Sequence, residues 1–314
     1  MLRLGTRRSL LATTQSTWVA DRLRELGHEV TLVEVTTEGD TDRVTPLRDL
    51  GGTGVFVSAL RSALRDGEID LAVHSLKDLP TTPEPDLALA AIPRREDPRD
   101  ALVARDGLTL GELPPGSTIG TGSPRRRAQL LALGLGLEIH ELRGNVDTRL
   151  RTVEEGRFDG VVLAAAGLRR LGRAHLVTEY LDPLQVLPAP GQGALAVEVR
   201  AVDAGTLAAL APLDDPDTRA CVTAERALLA ALEAGCSAPL GALAEAVEGW
   251  EGPELSLRAQ VGATDGSTDL RRSTVGPLGE AEALGRSLAC VLLDDGAADL
   301  VAVPTSIPRS VNSE

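Results

Sequence analysis

Short apolar runs alternate with longer segments of helical spacing through the first two thirds of the chain. Apolar residues that recur every three or four positions predict amphipathic helices, and short apolar runs bounded by turn residues predict buried strands. The predicted strands are Leu2 to Gly5, Val30 to Val35, Ile69 to His74, Leu87 to Ile92, Leu102 to Ala104, Thr118 to Gly120, Ile139 to Leu142 and Val161 to Ala165. The predicted helices are Ser9 to Leu26 with Ser9 as its cap, Val55 to Leu64, Arg125 to Leu133 and Val146 to Glu154. This alternation predicts βαβ units and a largely parallel sheet that is covered on both faces.

Two turn-rich segments, Pro80 to Pro85 and Leu187 to Gly193, interrupt the alternation. After the second one, Ala194 to Val199 is a further predicted strand, which we expect to return to the first sheet. The remaining predicted elements are a helix over Pro216 to Leu232, strands over Leu255 to Val261 and Thr268 to Val275, and a helix over Glu280 to Leu292.

The predicted fold class is therefore α/β, with two doubly wound domains followed by a small C-terminal α+β domain. The first domain is expected to comprise residues 1–95 together with residues 194–212. The second is expected to span residues 98–190, and the third residues 216–314.

The charge of the chain excludes one class of partner. Its 314 residues carry 32 basic and 46 acidic side chains, a formal net charge of -14, and aromatic residues make up 2%. Nucleic-acid binding needs a basic face that neutralises phosphates, and single-strand binding also needs aromatic rings that stack on bases. We therefore expect no nucleic-acid partner.

The cysteines indicate a cytoplasmic protein without a metal site. Cys221, Cys236 and Cys290 are odd in number and far apart, which fits neither a disulfide framework nor a metal-ligand spacing. Cys221 and Cys290 fall within helical patterns and are expected to be small core residues. Cys236 lies in a predicted loop, where a thiol is a candidate nucleophile or covalent attachment point, although no base is adjacent. No apolar run approaches the roughly 20 residues of a membrane helix, so no membrane partner is expected.

A basic region is hidden in this acidic chain. From Gly116 to Arg173 there are ten arginines and six acidic residues, a net charge of +4. Within it, Gly120 to Arg127 follows a predicted strand and opens a helix, where glycines permit close approach and free N–H groups and arginines attract anions. Thr121 and Ser123 add hydroxyl groups. The alternative is a capped helix start with a solvated arginine run.

The segment from Leu142 to Arg149 repeats this arrangement after the next predicted strand. Asn145 is the predicted helix cap, and Arg143 and Arg149 flank the helix start. Asp147 is expected to be structural because a carboxylate complements the dipole at a helix N-terminus. Two such loops predict a ligand with several carboxylates or phosphates.

The segment from His74 to Pro80 closes another strand and holds Lys77, the only lysine of the chain. Lysine offers a compact, titratable charge that arginine does not. The neighbouring Asp78 could stabilise a developing cation or move protons. The alternative is a local ion pair on a loop, which contributes little.

Together these motifs resemble the porphobilinogen deaminase, or hydroxymethylbilane synthase, family. The matching segments occur in family order and cover nearly the whole chain. They are Gly5 to Ser9, His74 to Pro80, Gly120 to Gln129, Leu142 to Leu150, Ala166 to Gly172, Pro188 to Ala194 and Glu225 to Gly241. The chain departs from the family at Thr53 and Ser58, where lysines are common.

The resemblance implies a monomeric, cytoplasmic enzyme of tetrapyrrole and haem biosynthesis whose first two domains resemble periplasmic binding proteins. Four porphobilinogen molecules would be joined head to tail onto a dipyrromethane cofactor, each losing ammonia, before water releases linear hydroxymethylbilane. The cofactor would be attached through a thioether to Cys236. Asp78 would be the catalytic carboxylate that stabilises a cationic azafulvene-like intermediate. The implied partners are porphobilinogen and the polycarboxylate pyrrole intermediates.

The resemblance also assigns the residues that would hold these carboxylates. The implied cofactor-binding residues are Cys236, Lys77, Thr121, Ser123, Arg125, Arg126, Arg149 and Gln192. The implied substrate-binding residues are Arg7, Ser9, Arg143, Arg149 and Arg170. Each pyrrole brings two carboxylates, and permanently charged, forked donors suit a chain that gains negative charge as it grows.

Two other functions are compatible with parts of the sequence. A two-lobed, non-enzymatic carboxylate-binding protein would explain the arginines but would leave Cys236 and Asp78 without a role. A thiol enzyme of another kind would use Cys236 but lacks an evident base beside it.

Overall fold

The computed structural model describes residues 1–35, 54–234, 238–250 and 252–301. The strands are β1 Leu2–Thr6, β2 Val30–Glu34, β3 Leu71–Ser75, β4 Leu87–Ala91, β5 Asp100–Ala104, β6 Thr118–Thr121, β7 Glu138–Glu141, β8 Gly160–Ala164, β9 Glu179–Tyr180, β10 Leu195–Arg200, β11 Leu240–Glu248, β12 Pro253–Gly262 and β13 Asp269–Pro277. The α-helices are α1 Leu10–Glu25, α2 Gly54–Arg65, α3 Pro124–Ala132, α4 Val146–Glu154, α5 Ala165–Arg170, α6 Ala204–Leu210, α7 Pro216–Ala231, α8 Ala281–Asp294 and α9 Ala297–Val301. None of the helices in these ranges has the length and apolarity that a membrane crossing needs.

The first domain is built on a five-stranded sheet with the order β2-β1-β3-β10-β4. β1 pairs in parallel with β2 and β3, whereas β10 runs antiparallel to β3 and β4. Its core joins the sheet to α1 through Leu4, Leu71, Val197, Val19 and Leu23. α1 begins where Ser9 accepts a hydrogen bond from the Ala12 N–H, as a capping residue does.

The second domain repeats this arrangement with the strand order β7-β6-β8-β5-β9. β6 pairs in parallel with β7 and β8, and β5 runs antiparallel to β8 and β9. Two helix starts follow neighbouring strands. Ser123 caps α3, with Pro124 in the first turn, and Asn145 caps α4 by accepting from the Thr148 N–H.

The third domain is an antiparallel sheet, β11-β12-β13, on which α7 and α8 pack. Small buried side chains such as Ala224, Ala242 and Ala289 dominate its core. α8 crosses α7 at Gly285, where a Cβ atom would lie only 2.2 Å from the Ala224 carbonyl oxygen. Glycine at this position therefore permits the two helices to approach closely.

Two crossover segments, residues 92–99 and 181–194, connect the first two domains. They meet at Gly193, where the backbone has a φ of +88°. A Cβ atom at this position would lie only 2.4 Å from the Glu96 carbonyl oxygen, so only glycine fits. The third domain joins them through Glu225 of α7, which is fully buried. Its carboxylate accepts from Arg95 at 2.6 and 3.0 Å and from the Gly191 N–H at 2.6 Å.

The structure confirms the α/β class, the additional α+β domain and the return of β10 to the first sheet. The expectation of a largely parallel sheet was wrong, because half of the strand pairings in each of the first two sheets are antiparallel. Elements that the pattern did not predict are β9, β11, α5, α6 and α9. The boundaries at residues 95, 98, 190, 194, 212 and 216 stay predictions.

The two described cysteines differ in burial. Cys221 lies in the core of the third domain, and burial raises the pKa of its thiol to about 11, with Glu225 adding to the shift. Cys290 is exposed on α8, so its expected core position was wrong.

Candidate active site

A cleft of about 440 Å³ lies between the first and second domains. The first domain lines it with Arg7, Ser9, Gln15, Ser75, Lys77 and Asp78, and the second with Arg126, Asn145, Asp147, Arg149 and Arg170. These residues follow the carboxyl ends of parallel strands in both sheets, which is where open α/β sheets bind ligands. Segments that are distant in the sequence therefore meet at one site.

Asp78 ends a single 3-10 turn, Leu76–Asp78, directly after β3. Leu76 and Leu79 on either side are buried, and the Leu79 N–H donates to the Leu76 carbonyl at 3.1 Å. The half-buried Asp78 carboxylate lines the cleft. Within the described part of the chain it accepts no hydrogen bond and forms no ion pair. It is thus available to an N–H group or a cation of a ligand.

Lys77 carries a charge that the protein disfavours. Burial lowers the pKa of its ammonium group to about 8, and the attraction of Asp78 only partly opposes this because Arg126 repels the same charge. The Lys77 Nζ donates to Gln192 Oε1 at 3.4 Å. An anion in the cleft would relieve this penalty, so Lys77 is suited to binding carboxylates.

Lys77→Met is expected to stabilise the ligand-free protein by about 1–3 kcal/mol at pH 7. The folded-state pKa of Lys77 lies below its ordinary value of 10.5, so folding opposes the charge below about pH 8 and this penalty fades between about pH 8 and 10.5. The gain in the melting temperature should therefore shrink as the pH rises through that window. Lys77→Arg, which stays charged, is the control without a gain. A lower melting temperature of Lys77→Met at pH 7 would contradict this account.

Arg126 reaches the cleft from the first turn of α3 and is fixed from behind. Its guanidinium donates to Asp100 Oδ1 at 2.7 and 3.1 Å and to the Val162 carbonyl at 2.9 Å. Burial opposes ionisation of Asp100, but Arg125 and Arg126 outweigh it and hold the pKa of that carboxyl well below its usual range. This buried cluster fixes the direction of the Arg126 side chain and uses three of the five N–H groups of its guanidinium.

Two further arginines of the second domain, Arg149 and Arg170, line the cleft, and burial disfavours the charged form of each guanidinium. Burial lowers the pKa of Arg170 to about 10 despite the nearby Glu96, and burial together with Arg126 lowers the pKa of Arg149. Their donors hold backbone carbonyls, from Arg149 Nε to Gly144 at 2.8 Å and from Arg170 Nη2 to Gly193 at 2.6 Å. Like charges gathered in a desolvated cleft predict a polyanionic ligand.

The first domain adds the start of α1 to the cleft. Arg7 and Ser9 lie in the turn between β1 and this helix, and both line the cleft. Gln15, one and a half turns further along, donates to Ser75 Oγ at 3.0 Å. The sequence reasoning missed Gln15 and Ser75, since a single polar residue within a helical pattern or at a strand end carries no distinguishing signal.

The structure does not bring every predicted site residue to the cleft. Arg125 is buried and donates to the Leu187 carbonyl at 2.6 Å, while Gln192 donates to Asp100 Oδ1 at 2.8 Å and to the Pro98 carbonyl at 2.7 Å. Both residues thus lie behind the cleft lining: Arg125 shares Asp100 with Arg126, and Gln192 accepts a hydrogen bond from Lys77. Arg143 is exposed and pairs with Glu141 at 2.7 Å.

The remaining predicted residues hold the backbone or lie outside the described ranges. Thr121 accepts from the Ser123 N–H at 3.3 Å, and Ser123 caps α3. Asp147 lines the cleft but pairs with Arg173 at 3.3 Å, in keeping with a structural role. Cys236 and Thr53 lie outside the described residues.

The sequence matches two family models that together span most of the chain. The first, "Porphobilinogen deaminase, dipyromethane cofactor binding domain", matches residues 2–208, and the second, "Porphobilinogen deaminase, C-terminal domain", matches residues 219–294. Curated porphobilinogen deaminases from Mycobacterium avium (strain 104) and Mycobacterium tuberculosis (strain ATCC 25618 / H37Rv) are each 60% identical over 306 residues. The matches cover 96% of this chain, and 96% and 98% of those proteins respectively.

Similar solved structures include binding proteins for small solutes. A nutrient-binding protein from Burkholderia cenocepacia bound to methionine is 15% identical with a TM-score of 0.40, covering 67% of this chain and 90% of that chain. A periplasmic binding protein of Salmonella typhimurium with arginine specificity is 15% identical with a TM-score of 0.39, covering 69% and 93%. Similarity at this level carries no information about the ligand of this chain.

Proposed function

Because the chain belongs to the porphobilinogen deaminase family, we propose that the cleft between its first two domains is the active site of that family's reaction. The protein is a transferase, a hydroxymethylbilane synthase, that joins four porphobilinogen molecules head to tail with loss of ammonia and releases linear hydroxymethylbilane by hydrolysis. The main support for this location of the active site is the Asp78 carboxylate. It lines a cleft rich in arginine and has no hydrogen-bond or ion-pair partner among the described residues.

The cleft has the donor set that a dipyrromethane requires. The family's first domain model is named for this cofactor, which when bound supplies the pyrrole carbon that accepts the first porphobilinogen. Arg126, Arg149 and Lys77 present charged donors for its carboxylates, and burial disfavours the charges of Lys77 and Arg149 in the absence of such a ligand. The residues present therefore fit the group.

Asp78 is assigned the task of stabilising positive charge. When ammonia leaves porphobilinogen, a cation forms, and a carboxylate held beside that cation lowers its energy. The same carboxylate can accept hydrogen bonds from pyrrole N–H groups, which neither Lys77 nor an arginine can do. Its turn is fixed by buried neighbours, so the charge is held in place before the substrate arrives.

The cationic residues are assigned the task of binding the acetate and propionate groups. Arg7, Ser9 and Arg170 would hold the incoming substrate, and Arg143 would act at the rim, since it is exposed. Thr121, Ser123, Arg125 and Gln192 would act on the cofactor mainly through the residues they support. In keeping with the family resemblance, the proposal includes a monomeric, cytoplasmic enzyme.

A mass measurement tests the attachment through Cys236. The protein purified from cells that make porphobilinogen should weigh more than its sequence by two pyrrole units and give the red colour of dipyrromethanes with an acidic aldehyde reagent. Cys236→Ser should abolish both signals. Cys290→Ser is the matched control, because that thiol is exposed on α8 and should not affect the added mass. An unmodified wild-type mass would contradict the cofactor assignment.

A purely ligand-binding function is not favoured, because the whole-length similarity is to enzymes of one family. The arginines alone would suit a carboxylate receptor. The cofactor domain and the Asp78 turn have no use in one.

A further inference from the structure

The third domain holds the turn that carries Asp78. Arg226 of α7 donates through Nη1 to the Leu79 carbonyl at 2.9 Å and through Nη2 to the Pro80 carbonyl at 2.7 Å. These carbonyls belong to the two residues that directly follow Asp78 in the first domain. A planar guanidinium fork that spans two successive carbonyls fixes both the position and the direction of the backbone.

Apolar packing supports the same contact. Val222 lies one turn before Arg226 on α7 and is fully buried against Leu76 and Leu79 in one cluster. One face of α7 therefore contacts the residues on both sides of Asp78, with an apolar contact at Val222 and a polar one at Arg226. The Asp78 carboxylate itself has no hydrogen-bond partner within the described ranges, so its position depends on this backbone support.

We infer that Arg226 is a positioning residue, which acts through the Leu79 and Pro80 carbonyls to hold the Asp78 carboxylate at the reacting centre. The inference rests on the proposed role of Asp78. Arg226 lies ten positions before Cys236 in the sequence. The domain that carries the proposed attachment cysteine thus also sets the place of the proposed catalytic carboxylate.

Arg219 provides a matched control on the same helix. It also joins α7 to main-chain carbonyls of the first domain, those of Leu89 and Ala90 at 3.2 and 3.4 Å, and it pairs with Asp214 at 2.7 Å. Its contacts lie away from the Asp78 turn. If arginines of α7 only attach the third domain to the first, Arg219→Ala and Arg226→Ala should have similar effects.

The test compares Arg226→Ala, Arg226→Lys and Arg219→Ala as holoenzymes whose bound cofactor is verified by mass. Arg226→Ala should lower kcat by about ten- to a hundredfold, as expected for a misplaced catalytic group, with a smaller change in KM. Arg226→Lys, which can hold one carbonyl, should have an intermediate kcat. Arg219→Ala should keep kcat close to that of the wild type.

Amide hydrogen exchange supplies a readout that is independent of activity. Exchange in residues 76–79 should accelerate in Arg226→Ala but not in Arg219→Ala. Equal kcat and equal exchange in the two alanine variants would overturn the inference. If Arg226→Ala fails to fold, a wild-type kcat in Arg226→Lys would overturn it, and a reduced kcat with faster exchange would support it.

Asp78→Asn separates this inference from the proposed function. A wild-type rate in Asp78→Asn would remove the catalytic role of Asp78 and the inference with it. A large loss in Asp78→Asn together with an unchanged kcat in Arg226→Ala would refute the positioning role alone.

Discussion

Asp78→Asn is expected to lower kcat by about a hundred- to ten-thousand-fold while leaving the melting temperature almost unchanged. Asparagine has the same shape but cannot offer negative charge to the cation that forms when ammonia leaves the substrate. The fold should tolerate the change, because the carboxylate makes no hydrogen bond or ion pair within the described part of the protein. Steady-state turnover of porphobilinogen by cofactor-loaded protein measures the effect.

Asp147→Asn is the matched control for this prediction. Asp147 lines the same cleft, but it is paired with Arg173 on a half-exposed surface and stands in the first turn of α4. Its loss should cost little activity, because its carboxylate is already paired with Arg173 and is assigned no role in the reaction. The fold should also tolerate the change, since such a pair contributes about 0–1 kcal/mol to stability. A kcat of Asp78→Asn within tenfold of the wild type, or equal losses in both variants, would remove Asp78 from its assigned role.

The sequence predicts those features that depend on neighbouring residues. The starts of α1 and α4 follow from the predicted caps Ser9 and Asn145, each of which accepts a hydrogen bond from the backbone N–H three residues further on. The place of Asp78 after a buried strand follows from the turn residues around it. These signals are local, so one sequence suffices to find them.

Features that depend on contacts between residues distant in the sequence cannot be predicted from such local patterns. β11, Leu240–Glu248, is rich in Ala and Glu, which favour helices, and it becomes a strand through pairing with β12 along its whole length. Cys290 illustrates a smaller error: it belongs to a predicted helix, yet it is exposed beside the buried Ala289, because one residue turns the side chain by about 100°.

The candidate site shows the same division. Its residues could be named from motifs, but their partners could not. Gln192 and Arg125 have the chemistry of ligand contacts, yet their donors are occupied by Asp100 and the Leu187 carbonyl. The contact from Arg226 to Leu79 joins residues 147 positions apart, and no spacing rule predicts it.

Asp100→Asn is expected to lower the free energy of unfolding by about 3–5 kcal/mol, because it leaves two buried guanidinium groups without their counter-charge. Asp100 is fully buried and pairs with Arg125 and Arg126 at 2.7 Å each. The folded state lowers the pKa of Asp100 below its ordinary value of 3.8. The ionised carboxylate therefore stabilises the fold fully at a pH well above 3.8, and this stabilisation is lost only as the pH falls below that value. Urea unfolding at pH 7 therefore measures the full effect.

Two comparisons identify the cause of that loss. Glu155→Gln, which removes an exposed partner of Arg157, should change the stability by at most about 1 kcal/mol. Arg125→Met added to Asp100→Asn should recover part of the loss, because it removes one of the two uncompensated charges in a place where an apolar side chain of similar length can pack. If the double variant is instead less stable by the sum of the two single losses, the buried charge is not what Asp100 balances, and the cluster behind Arg126 owes its stability to packing alone.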